Sequence, residues 1–80
     1  MDIQLIKGEF NSNDALELIT KMIEVKIKFH ENKINTIHQE EDIKNRENKI
    51  KNLQNSLNEI RDFLNSKENT ISINSSIQVD

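Results

Sequence analysis

Two histidines, His30 and His38, stand among 14 acidic and 11 basic side chains in this 80-residue chain, and they are the residues best suited to ligate a metal or carry a proton. His30 is followed by Glu31, which is how a His-Glu-x-x-His zinc site begins. Such a site needs a second histidine one helical turn on, so that both imidazoles leave the same face. Position 34 is Ile34 instead. On one continuous helix His30 and His38 would lie about 80° apart, too far round to share an ion unaided by Glu31 or Glu41. His30 is therefore expected in an apolar seam with one ring nitrogen solvated, and His38 in a turn.

The remaining chemistry is sparse. There is no cysteine, hence no thiolate ligand or disulfide, which suits a reducing, cytoplasmic compartment. The single glycine, Gly8, cannot build a glycine-rich phosphate or oxyanion loop, and the serines have no His/Asp constellation near them. No catalytic residue, cofactor or metal is expected, and the chain is not read as an enzyme. Lys26 and Lys33 flank His30. They read either as an anion or nucleic-acid contact or as stems lying over apolar surface with their ammonium groups in water. The net charge of −3, from well-mixed signs, speaks against a nucleic-acid partner. No stretch approaches the roughly 20 apolar residues of a membrane span. The start of the chain lacks the basic-then-apolar pattern of a secretory signal.

The elements that would position these groups are helices. Asn11 or Ser12 can cap a helix start, with Phe10 stapled over Ala15. Leu16, Ile19, Ile23, Ile27, Ile34 and Ile37 then recur every three or four residues, with His30 filling one gap. A second row, Leu18, Met22, Val25 and Phe29, widens the apolar surface to roughly 200° of the helix. A second stripe, Ile43, Ile50, Leu53, Leu57, Ile60 and Leu64, fits a heptad with Arg46 at one inner position. Nothing in residues 11–66 breaks a helix outright, so one long rod competes with two helices. Phase decides for two: heptads continued from Ile37 land on Lys44 and Lys51, whereas the second stripe uses Ile43 and Ile50. Folding back at residue 40 pairs Ile37 with Ile43, Ile27 with Leu53, Ile23 with Leu57, Ile19 with Ile60 and Leu16 with Leu64. In that register Lys33 faces Glu47 and His30 faces Ile50. Thr36 and Gln39 could form a capping box for the second helix.

The sequence is thus read as all-α: an antiparallel, coiled-coil-like two-helix hairpin over residues 11–66, with helices at 12–37 and 41–66. Residues 1–10 are an extended arm or short strand. Residues 67–80 are a polar tail, read first as mobile, whose Ile71-Ser72-Ile73 alternation would allow a short strand pairing with residues 2–6 of the same or a second chain. Leu18, Met22, Val25 and Phe29, together with Phe63, form more apolar surface than one partner helix can cover. They are the expected interface of a homodimer, assembled as a four-helix bundle. The expected function is that of a small structural or protein-interaction module. The alternative is a regulatory binding module, antitoxin- or adaptor-like, that docks a different protein on that row.

Overall fold

The computed structural model describes residues 1–36, 38–66 and 70–80. The order of elements is β1 (Asp2–Phe10), α1 (Ser12–Ile34), α2 (Glu40–Asn65) and β2 (Ile71–Gln78). The fold is α+β. The two helices lie side by side, and the two ends of the chain pair as an antiparallel ribbon. The all-α reading is corrected on this point, and with it the four-helix bundle and the mobile tail. The tail is a strand because Ile71–Gln78 finds β1 as a partner, and a strand holds its shape only when its backbone N–H and C=O groups are paired.

The ribbon separates its residues cleanly by polarity. Ile3 stands opposite Ile77, Ile6 opposite Ser75, Gly8 opposite Ile73 and Phe10 opposite Ile71. The alternate pairs are Asp2 with Gln78, Gln4 with Ser76, Lys7 with Asn74 and Glu9 with Ser72. Directly opposed residues share a face, so one face is apolar but for Ser75 and the other entirely polar. The register shift between Gln4 and Ile6 makes this possible. A strict period of two would put Ile3 and Ile6 on opposite faces; one extra residue, Leu5, brings them to the same side. Gln4 secures the irregularity. Its Nε2 donates to the Ile6 carbonyl at 3.1 Å, to Asn74 Oδ1 at 2.7 Å and to the Ser75 carbonyl at 2.9 Å.

α1 starts where Asn11 leaves extended backbone. Its side chain accepts from the Asp14 backbone N–H at 2.8 Å, and its carbonyl accepts from Ala15 N–H at 2.9 Å. The start of α2 differs from expectation. Gln39 is its N-cap without a side-chain cap bond, and Thr36 Oγ1 donates back to the Lys33 carbonyl at 3.0 Å. Thr36 thus finishes α1, and the capping box does not form. Glu40, Glu41 and Asp42 occupy the first turn of α2, where negative charge is favoured by the helix dipole. α1 ends at Ile34, three residues before the expected 37, with Asn35 as its C-cap, and α2 ends at Asn65, one residue before the expected 66. The expected Ile37–Ile43 pair rests on a residue outside the described ones.

The seam between the helices is half-buried along its length. Leu16, Ile19, Ile23, Ile27 and Ile34 lie on α1, with Ile43, Ile50, Leu53, Leu57 and Ile60 on α2. Among the described residues only Ala15 and Leu64 are buried apolar residues, and both sit near the end where the ribbon meets the helices. Both strands touch α1, and Phe10 borders a hollow with Asp14, Glu17, Leu18 and Lys21. The whole measures 46 × 32 × 13 Å with a radius of gyration of 15.1 Å. A compact chain of this length has about 11.6 Å. Thirteen ångströms is little more than one helix diameter of about 10–12 Å, so the protein is a single layer. Among the described residues no helix is long and apolar enough to cross a membrane.

Candidate functional site

Two surfaces carry the features that a single layer leaves unresolved. One is a groove between the helices at His30. The other is the outer end of the ribbon.

His30 is 6% exposed, the only buried polar residue among those described. Its Nδ1 lies 2.9 Å from Arg46 Nη1. A guanidinium has only N–H donors, so Nδ1 accepts and the neutral ring carries its proton on Nε2. Burial pushes the His30 pKa below its ordinary value, and the positive charges of Arg46, Lys49 and Lys26 push it the same way. Lys26 and His30 from α1, with Lys49, Asn52 and Leu53 from α2, line a groove of about 320 Å³. A second hollow, bordered by Asp42, Asn45, Arg46 and Lys49, adjoins it through Lys49. Among the described residues the ion pairs are Glu17–Lys21 at 2.8 Å and Glu40–Lys44 at 3.6 Å. Neither involves a groove residue. The expected Lys33–Glu47 pair does not form, and His30 meets Arg46, one turn away from the expected Ile50. Lys33 instead places its ammonium 5.6 Å from the centre of the Phe29 ring.

The residues expected to form an interface are distributed unevenly. Leu18 and Met22 are half-buried on α1, whereas Val25 is 71% exposed. Phe29 is half exposed but not idle. Its ring stands edge-on to His30 at 5.7 Å, with Arg46 Cζ 5.9 Å from its centre on the opposite helix. Cations over an aromatic face contribute about 0.5–1 kcal/mol at such exposed sites. Phe63, also exposed, lies on α2 near the ribbon end, far along the molecule from Val25 and Phe29.

Sequence reasoning missed the larger apolar cluster. Met1, Ile3, Leu5, Ile77 and Val79 are between 41% and 77% exposed, and the pairing of the strands gathers them at one end. Met1 and Val79 are 78 positions apart, yet the Met1 amine donates to the Val79 carbonyl, and Val79 N–H donates back to the Met1 carbonyl at 2.7 Å. The alternation Ile71-Ser72-Ile73 pointed to a strand, but nothing local to either end shows that they are neighbours. Comparison with protein-family models, with curated proteins and with solved structures finds no match to this chain.

Proposed function

We propose that this chain is a small, non-catalytic, cytoplasmic interaction module that acts by joining a second copy of itself through the uncovered end of the ribbon. The observation that carries this reading is the open apolar face at Ile3, Leu5 and Ile77 on a molecule one layer thick. Stable domains are built from at least two layers packed over a common core, and an isolated two-stranded ribbon is marginal in water. The chain exposes 6407 Å². A compact monomer of 9.4 kDa exposes roughly 5,000 Å². The excess, about 1,400 Å², is more than the ~800 Å² that each partner buries in a standard interface. A twofold arrangement uses the same patch on both copies, so the ribbon faces would cover each other while Lys7, Glu9 and the other polar-face residues stay in water. The absence of cysteine suits the cytoplasm.

Sedimentation equilibrium of the full chain tests this. A dimer is expected, converted to monomer by Ile3→Lys with Ile77→Lys and left intact by Val25→Lys. A stably folded monomer at tens of micromolar would overturn self-association. The open face would then belong to a different protein, as in a regulatory binding module.

A further inference from the structure

The groove beside His30 has the makings of a ligand site separate from the ribbon. Its charged groups are all cationic. Lys26 and Lys49 approach from opposite helices, and Asn52 adds an amide. Arg46, whose guanidinium is bound to His30 Nδ1, adds a third positive charge next to them. Among the described residues no carboxylate stands within ion-pair distance of any of the three. His30 is the second, independent sign. Its Nδ1 is occupied by Arg46, so Nε2 is a donor, and no described residue accepts from it. Among the described residues no buried side-chain nitrogen or oxygen is left without a partner, so Nε2 is not sealed from solvent, and the groove is the hollow that His30 lines. An N–H on a nearly buried ring is held rigidly, and a ligand that meets it gives up little of its binding to reorganisation.

We propose that this groove binds a phosphate-type oxyanion borne on a small organic body. The ammonium groups of Lys26 and Lys49 and Nε2–H of His30 take the phosphate oxygens. Asn52 donates from its amide, and Leu53 borders the organic part. A doubly charged anion fits better than a carboxylate because three cations converge, and charge-assisted hydrogen bonds are about twice as strong as neutral ones. Asp42 marks the limit of the site. It borders the adjoining hollow with Arg46, and its negative charge directs an anion toward the Lys26 side. The groove, at about 320 Å³, is larger than a bare phosphate requires, which leaves space beside Leu53.

The test is a titration of the ¹⁵N-labelled full chain, slightly above neutral pH and at constant ionic strength, following the His30 ring nitrogens. The probes are inorganic phosphate, glycerol phosphate and acetate. A saturable change at Nε2 is expected with both phosphates and little with acetate. Tighter binding of glycerol phosphate than of inorganic phosphate is expected; the reverse order would overturn the organic body beside Leu53. Lys26→Gln with Lys49→Gln should weaken binding about tenfold or more at unchanged helicity. Lys28→Gln with Lys51→Gln removes the same charge outside the groove and should leave binding intact. No saturable change, or equal losses in the two double variants, would overturn the site and leave only a general field effect.

Discussion

The helical hairpin and the terminal ribbon contain the same kinds of apolar residue but bury them differently. Ile60, on the seam, is half-buried, while Ile77, on the ribbon, is 42% exposed. A helix presents a stripe, and one neighbouring helix can cover a stripe. A sheet presents a face, and a face needs another layer. α1 touches both strands; Ile6, Phe10, Ile71 and Ile73 are half-buried, whereas Ile3 and Ile77, further out along the ribbon, stay exposed. In a molecule one layer thick, element geometry decides burial more than hydrophobicity does.

The comparison can be broken most forcefully at the junction of the two regions. Leu64→Ala removes one of the two buried apolar side chains among the described residues, and such truncations cost about 2–5 kcal/mol. Urea denaturation followed by circular dichroism should show this loss. A cost under about 1 kcal/mol would mean that the junction is not the core. Asn11→Ala, which removes the side-chain cap where ribbon turns into helix, should cost about 1 kcal/mol by the same assay.

A gentler effect belongs to the hairpin alone. His30 holds its proton less tightly when folded than when unfolded, because burial and the charges of Arg46 and Lys49 on α2 and Lys26 on α1 oppose protonation. The unfolded chain therefore binds more protons around the ordinary histidine value of about 6.5. The His30 contribution is complete above that value and is lost as pH falls through it toward the folded-state value. Thermal melts between mild acid and neutrality should show the trend, and Arg46→Gln should flatten it. An equal slope in both proteins would assign it elsewhere. The smallest effect is expected on the ribbon. A Cβ at Gly8 would lie 3.8 Å from the Phe10 ring, in ordinary contact, and no backbone angle there requires glycine. Gly8→Ala should change the melting temperature little, or raise it slightly by restricting the unfolded chain.

What could be read from the residues follows the same division. The phase slip between Ile37 and Ile43 revealed two helices, because helical periodicity is local. The capping box failed because Thr36 had two nearby helix ends to serve and bonded to Lys33 of the first. The Arg46–His30 bond was not legible: Arg46 looked like a dilution of the seam, and only the packing of the helices brings it to the imidazole. The ribbon was least legible. Leu5 disrupts the alternation of its strand, and β2 lies at the far end of the chain. Lys26 beside His30 did suggest an anion contact, whereas Lys49 and Asn52 carried no signal until α2 was placed alongside.

The bond between Met1 and Val79 also bears on the order of folding. Joining the ends of a flexible chain costs entropy that grows with the length of the intervening loop. Once α1 and α2 have closed on each other, most of that loop is already rigid, and the strands meet across a short gap. The helices should therefore form early and the ribbon zip up last, beginning at Phe10 and Ile71 beside the helices and ending at Met1 and Val79. During synthesis β1 emerges long before β2 and must wait with its apolar edge open, which makes this strand the point where a newly made chain is most exposed to pairing with the wrong neighbour.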